Sequence, residues 1–407
     1  MITLRHNLSQ RILRERRRPQ GPGPANLSRL SGDVTFILGS AATQIGMGVS
    51  IEPSPQPYLT LADAARRCVD DSLQEGRRIG PFSLISRLGQ GAQGDVWKAT
   101  RDGRGGEVVA LKILCPSLAR HARRLAQFRR EAERGARLAG PSLLRVFESG
   151  EIDGYRYMAM PYVEGVSLHE VIRSRRAFLL GDEVAPAHPL IKIDDDGYFV
   201  DMTQLLAHAC RALEIVHANR IAHRDIKPAN ILLDRHRPLA VYLCDLGLGR
   251  DLEFATAEQM RDGAGTPMYM SPERLLKAPA DEIRSDVYSM GVTLFECLTL
   301  GRPFDSPDGI PLTAISAFLA RARPRAPRAV APRIPQRLET IILKAMSRTP
   351  VDRYRSAGEL ALDLDRWIET AEPKAGGDRA CNYVSQPHLV MSPSEAFELD
   401  SLPLTRL

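Results

Sequence analysis

Apolar and polar residues alternate with a period of two along Phe82–Leu88, Asp95–Thr100 and Val108–Leu114, the pattern of strands with one buried face. The turn Arg101–Gly106 separates the second run from the third, so the spacing predicts an antiparallel meander. A helical stretch over Leu118–Leu138 follows, and strand character returns at Arg145–Ser149 and Tyr155–Met160. Beyond Glu164 the period becomes that of helices. Leu205, Ala209, Leu213 and Val216 share one face, as do Val287, Met290, Leu294 and Leu298, with Gly301 expected to end that second helix. Arg175–Asp201, with the acidic turn Asp194-Asp195-Asp196-Gly197, reads as a surface insertion, and Arg321–Arg333, alternating arginine with proline, as an extended loop. Strands with one helix, then a larger helical half, give an α+β chain of two lobes with a cleft between them.

The ends carry less pattern. Residues 1–57 hold an arginine run and two groups of prolines and read as a disordered basic extension. Leu4, Leu8 and Ile12 fall four apart among arginines, and a solvated arm is favoured there over a basic amphipathic helix lying on a membrane or a partner. Thr60–Gln74 has a helical pattern with Thr60 as N-cap and Asp63 three residues on, so 58–78 reads as a short helix and linker. Residues 371–407 read as a tail.

The chain has 407 residues, 43% hydrophobic and 26% charged, which suits a globular protein and excludes collagen-like, wholly disordered and disulfide-scaffold chains. Its formal charge is +6. Seven arginines against Glu15 in the first 31 residues account for all of it, so the remaining chain is neutral. A body that bound nucleic acid through phosphates would carry the excess itself, and that class is set aside. The six cysteines are scattered, with no C-x-x-C and no paired histidine spacing for zinc, which fits a reducing cytoplasm. Val34–Ile51 is the most apolar early stretch, but Thr35, Ser40, Thr43, Gln44 and three glycines dilute it below a membrane span.

Leu88-Gly89-Gln90-Gly91-Ala92-Gln93-Gly94-Asp95-Val96 contains G-x-G-x-x-G, which dinucleotide folds also use. There the glycines open a helix. Here Asp95–Thr100 alternates like a strand, so the glycines belong to a hairpin tip, where bare amides can close over phosphates.

The third strand carries Val109-Ala110-Leu111-Lys112. It is followed in order by His223-Arg224-Asp225-Ile226-Lys227-Pro228-Ala229-Asn230, Asp245-Leu246-Gly247 and Gly265-Thr266-Pro267-Met268-Tyr269-Met270-Ser271-Pro272-Glu273. With these motifs the stretch from Ile79 to Ile368 resembles the protein kinases, and most of all the bacterial, eukaryotic-like (Hanks-type) serine/threonine kinases. The resemblance implies a bilobal kinase fold over 79–370, with a small β-rich N-lobe (79–160) and a larger helical C-lobe (164–370). Taken singly, a strand lysine is usually solvated and Asp-Leu-Gly is usually a turn. The ordered set outweighs those readings.

The resemblance also assigns roles. Lys112 would hold the α/β-phosphates of ATP, with Glu131 as its helix carboxylate, although Glu133 lies on the same helix. Asp245 and Asn230 would hold Mg2+, or Mn2+ in its place, since such cations take hard oxygen ligands. Asp225 would orient the acceptor hydroxyl and receive its proton. Lys227 is the lysine that serine/threonine kinases use against the γ-phosphate. Leu88, Gly89, Gly91 and Gly94 would cover the nucleotide. Val96 and Ala110, which could equally be plain core, would pack on adenine. Met160 would be the gatekeeper, and the backbone of Pro161 and Val163 would meet the adenine edge; Pro161 keeps the carbonyl that is needed there. Glu273 with Arg353, and Asp286, are expected to be structural supports, though Asp286 could simply cap its helix.

Two departures stand out. Leucine replaces phenylalanine in Asp245-Leu246-Gly247. Gly135, four residues after Glu131, lacks the bulky side chain that usually stacks beneath Leu246 and His223, which predicts a poorly fixed helix and low basal activity. Arg224 implies an activation-segment phosphate, for which Thr256 is the leading site. Ala229 argues against a preference for upstream arginine. The expected function is ATP-dependent phosphorylation of protein serine and threonine in the cytoplasm, with autophosphorylation through a transient homodimer. A non-catalytic scaffold and a small-molecule kinase are the competing classes. The Gly265–Glu273 segment, a platform for an extended peptide, counts against the second.

Overall fold

A computed structural model describes residues 73–91, 94–103, 105–185, 187–246, 249–251, 266–304 and 312–371. Contacts divide the chain into two units. The described residues up to Leu125, Gly150–Tyr157 and Arg176–Val184 form one; Ala126–Ser149, Met158–Arg175 and the described residues from Ala185 onward form the other.

The first unit is built on an antiparallel meander of β1 (Arg78–Ile79), β2 (Phe82–Gly91), β3 (Gly94–Arg101) and β4 (Glu107–Leu114). In sheet order β4 is followed by β6 (Tyr155–Pro161) and then β5 (Glu148–Ile152). The expected alternation holds on β3, where Trp97 and Ala99 are buried while Val96 and Lys98 are partly exposed. On β4, which has neighbours on both sides, both faces are buried, and Val109, Leu111 and Ile113 form the core row. Phe82 packs its ring on Tyr157 with centroids 5.2 Å apart. The β2–β3 register slips between Leu84 and Ser86 and again between Arg87 and Gly89, two bulges that re-aim the strand just before its glycines.

After β4 come a single turn, α1 (Pro116–Ala119), and then α2 (Ala122–Arg137), where the sequence predicted one continuous helix from Leu118. Pro116 starts the turn, and the chain leaves it at Arg120 and His121 before winding again. The strand expected at Arg145–Ser149 begins only at Glu148.

The second unit is mainly helical. After β7 (Gly165–Ser167) and α3 (Leu168–Leu179), it is organised around α4 (Asp195–Ala218) and α6 (Glu282–Thr299). Leu205, Ala209, Leu213 and Val216 on α4 are wholly buried, as are Val287, Met290 and Leu294 on α6, as the periodicity predicts. Between these helices in sequence lie β8 (Ile221–Ala222), β9 (Ile231–Asp234), β10 (Val241–Leu243), β11 (Arg250–Asp251) and the single turn α5 (Pro272–Leu275). They are followed by α7 (Leu312–Leu319), α8 (Pro327–Val330), α9 (Gln336–Ala345) and α10 (Ala357–Ala371). Helix α10 packs on α4 and α9 on α6.

Three sequence expectations are corrected. Arg175–Asp201 is not a loop: Arg175 lies inside α3, Asp194 caps α4 by accepting from the Gly197 amide at 2.7 Å, and the acidic run is the first turn of a helix. Arg175 is buried, donates to the carbonyls of Leu190 and Ile193 at 2.9 Å and to Asp195, and lies over the Tyr198 ring at 3.8 Å, so the segment is pinned from within. Leu300, not Gly301, takes the left-handed cap of α6 at φ 56°. The Arg321–Arg333 segment contains α8, opened by Pro327. The expectations for residues 1–57 and for most of 58–78 and 371–407 lie outside the described residues.

Candidate active site

In the first unit, seven of the expected nucleotide-binding residues share one hairpin and its neighbour. Leu88, Gly89 and Gly91 are on β2, and Gly91 faces Gly94 across the ladder. Gly94 has φ 118°, and a Cβ there would lie 2.3 Å from the Ile113 carbonyl oxygen, so no other residue fits. Gly89 has open space around it. Ala92 and Gln93, at the tip, lie outside the described residues. Val96 pairs with Lys112 and Lys98 with Ala110, which places these four side chains on one face of the sheet. Lys112 and Ala110 are buried there.

In the second unit the chemistry gathers around Asp225. Its Oδ2 accepts from Lys227 Nζ at 2.6 Å and from Asn230 Nδ2 at 3.1 Å. Its Oδ1 accepts from the Thr266 hydroxyl at 2.9 Å and from the Thr266 amide at 3.3 Å. Lys227 Nζ also donates to Thr266 Oγ1 at 3.0 Å. Both oxygens of a carboxylate only 7% exposed are therefore held by named donors, which fixes its plane.

The β9–β10 ladder brings the two expected metal-holding residues to one end. Leu243 pairs with Ile231, the Cys244 amide donates to the Asn230 carbonyl at 3.0 Å, and Asp245 follows directly. Asn230 Nδ2 is committed to Asp225, to its backbone oxygen at 2.8 Å as well as to Oδ2, which leaves the Asn230 amide oxygen as the acceptor. An amide oxygen and a carboxylate are hard donors that suit Mg2+ or Mn2+ completed by water and phosphate. They do not suit zinc, and among the described residues no group of three or more His, Cys, Asp or Glu gathers to hold a metal.

Asp286, at the start of α6, braces the loop from beneath. Its carboxylate accepts from the amides of His223 at 2.7 Å and Arg224 at 2.8 Å, and from His217 Nε2 at 2.9 Å. Burial alone would raise this carboxyl, but the His217 hydrogen bond and the charges of His217, His223 and Arg274 hold it below the usual carboxylate range. The braced backbone is strained: Arg224 has φ 70° and, further on, Asp245 has φ 66°. The Arg224 side chain, 1% exposed, pairs through Nε with the equally buried Glu282 at 3.2 Å. Arg274 donates to the Arg224 carbonyl at 3.0 Å.

Glu273 and Arg353 make a bidentate pair at 2.7 and 2.8 Å, with Ser285 donating to the same carboxylate at 2.8 Å. Burial pushes Glu273 up; the hydrogen bond and charge of Arg353 outweigh it and hold the group low.

Of the two acids considered on α2, Glu131 is buried and Glu133 exposed. Met160 and Val163 are half-buried, and Pro161, the exposed last residue of β6, follows the core residues Met158 and Ala159. Thr256, Gly247 and Gly265 lie outside the described residues. Gly135 does not leave a void: a Cβ there would lie 2.5 Å from Cγ2 of Val146, whose amide donates to the Gly135 carbonyl at 3.1 Å, so the strand lead-in occupies the space. His217, Glu282 and Arg274 escape the sequence reading, because each acts on a residue outside its own motif with nothing nearby in the chain to mark it.

The profile of the protein kinase domain matches residues 82–360. The chain belongs to the protein kinase family. This kinase is 31% identical over 303 residues to the serine/threonine-protein kinase PknD of Mycobacterium tuberculosis, covering 74% of this chain and 41% of that one. It is 30% identical over 320 residues to PknE of the same organism, covering 79% and 51%. The chain thus spans about half or less of the length of these curated relatives. Among solved structures, the kinase domain of M. tuberculosis PknI matches with a TM-score of 0.51 and 26% identity, over 72% of this chain and 99% of that one. The fold is accordingly the α+β protein kinase fold, with a small β-rich N-lobe and a larger helical C-lobe. Among the described residues no helix is long and apolar enough to cross a membrane.

Proposed function

We propose that this chain is a serine/threonine protein kinase, transferring the γ-phosphate of ATP to protein hydroxyls, its own included. The observation that carries the reading is the Asp225 cluster, in which Lys227, Asn230 and Thr266 hold both oxygens of one carboxylate. An acceptor hydroxyl donates its hydrogen bond to that carboxylate, its oxygen attacks the γ-phosphorus, the bond to the β,γ-bridging oxygen breaks, and the proton passes to Asp225 as ADP leaves. Lys227 offsets charge on the transferring group, a role typical of kinases acting on serine and threonine. When bound, Mg2+ or Mn2+ neutralises phosphate charge, and Asp245 and the Asn230 amide oxygen are the side chains to hold it.

The remaining assignments follow the same reading. Lys112 holds the α/β-phosphates, and Leu88, Gly89, Gly91 and Gly94 cover the triphosphate. Val96 and Ala110 pack on the base, near which Met160, Pro161 and Val163 lie, and Glu131 is the helix carboxylate of the set. Protein substrates rather than small molecules are favoured by the Gly265–Glu273 segment, whose end is anchored by Arg353. Cytoplasmic action and autophosphorylation within a transient homodimer belong to the proposal too, as does modification at Thr256, though not with Arg224 as the receiver of its phosphate, since that side chain is buried against Glu282.

The test is incubation of the purified full chain with labelled ATP, Mg2+ and a cell lysate beside an Asp225→Asn control. Label on serine and threonine that falls by about 10²–10⁴ in the control supports the reading. Equal labelling in both would refute it, and ATP binding without any transfer would point to the scaffold class.

A further inference from the structure

We propose that Arg134 is a positioning residue that ties α2 to the metal-holding loop through the Leu246 carbonyl. The inference rests on the kinase reading above and goes beyond it in one respect, because no motif assigns this arginine a task. Arg134 stands three residues after Glu131 on the same side of α2, and its side chain is buried with 5% exposure. Its Nη1 donates to the Leu246 carbonyl oxygen at 3.4 Å. The same oxygen accepts from the Gly249 amide at 2.9 Å. A Cβ added at Gly249 would lie 2.9 Å from that oxygen and 3.6 Å from Cδ of Arg134, so Gly249 also lies against the aliphatic stem of the arginine.

The neighbouring residues explain why a polar link is used. Gly135 offers no side chain to stack on Leu246, and its space is taken by Val146, so the apolar contact expected between helix and loop is absent at this point. Asp245 sits in the left-handed region at φ 66°, a conformation a non-glycine residue keeps only where its surroundings over-determine it. The long hydrogen bond from the guanidinium to the next residue's carbonyl, with the stem of Arg134 packed against Gly249, supplies such a constraint. Through it the helix that carries Glu131 and the loop that carries Asp245 are held in one register.

The test uses the full chain with Arg134→Met, which keeps the stem and removes the donor, and Arg134→Lys, which restores a cation without the planar fork. Two quantities are read: the Mg2+ concentration that half-saturates binding of a fluorescent ATP analogue, and amide exchange of Gly249, whose N–H donates to the Leu246 oxygen, in the nucleotide-free protein. The expected result is a rise of about tenfold in half-saturating Mg2+ for Arg134→Met, with faster exchange at Gly249 but not across α2, and partial recovery in Arg134→Lys. Gly249→Ala, which crowds the Leu246 oxygen, should shift the Mg2+ requirement in the same direction, so the inference stays testable if Arg134→Met does not fold. A native Mg2+ requirement in Arg134→Met with a lower melting temperature would mean plain burial and overturn it. A wild-type chain that binds no nucleotide with Mg2+ would overturn the kinase reading and this inference together, whereas failure of the variants alone overturns only this one.

Discussion

Gly135 shows how a residue can mislead when only its own side chain is considered. Its lack of a side chain predicts a gap and a loose helix, yet Val146 stands 2.5 Å from where a Cβ would be and donates its amide to the Gly135 carbonyl. Adding a leucine would therefore overpack the site, not repair it. Gly135→Leu should lower stability by about 1–3 kcal/mol, and Gly135→Leu with Val146→Ala should recover much of the loss; denaturant midpoints of the two variants against wild type check both signs. Had the gap existed, the single substitution would stabilise. The contiguous motifs were readable in the chain because Asp225, Lys227 and Asn230 fall within six residues and share one loop. Val146 was not, because nothing near it in sequence marks it as the filler of a space beside a different helix.

Among the elements, α6 contributes most to the site while touching none of the reacting groups. Asp286 receives the amides of His223 and Arg224 together with His217 from α4, so one carboxylate joins two helices and the strained loop between them in sequence. Removing it leaves His217 and two buried amides without their acceptor. Asp286→Ala should cost about 3–5 kcal/mol, seen as a lowered denaturation midpoint, with loss of activity even where the protein stays folded. The helical period of α4 is legible because Leu205, Ala209, Leu213 and Val216 lie in the core while Arg211 and Ala218 are exposed; α6 is buried nearly all round, and its period is carried by the large apolar residues Val287, Met290, Leu294 and Leu298. The acidic turn before α4 reads as a loop from sequence because Arg175, which pins it through Asp195, comes from α3, twenty residues earlier.

For the molecule as a whole, the buried charges set the response to acid. Glu273 and Asp286 both titrate below their ordinary values in the folded state. Their stabilisation is complete above the unfolded carboxylate range, about 3.9–4.3, and is lost as pH falls through the lower folded values. His188 adds to the same trend: burial lowers its affinity for a proton, so protonation favours the unfolded chain below about pH 6.5. Melting curves between pH 8 and pH 3 should show stability falling on the acid side. The gap between wild type and Glu273→Gln should be widest above pH 5 and should narrow below about pH 4.3. A gap that stays constant to pH 3 would rule out the Glu273–Arg353 pair as its source.

That pair also fixes how short the folded chain can be made. Lys112, Asp225, Lys227, Asn230 and Asp245 all precede position 250, yet Glu273 finds its counter-ion 80 residues further on, in the turn before α10. A shortened version ending between the last turn of α6 and Arg353 would keep Lys112, Asp225, Lys227, Asn230 and Asp245 and leave Glu273, a largely buried anion beside α6, without its counter-ion. The minimal working unit therefore extends to a guanidinium assigned no part in the chemistry, and to the helix after it that packs on α4.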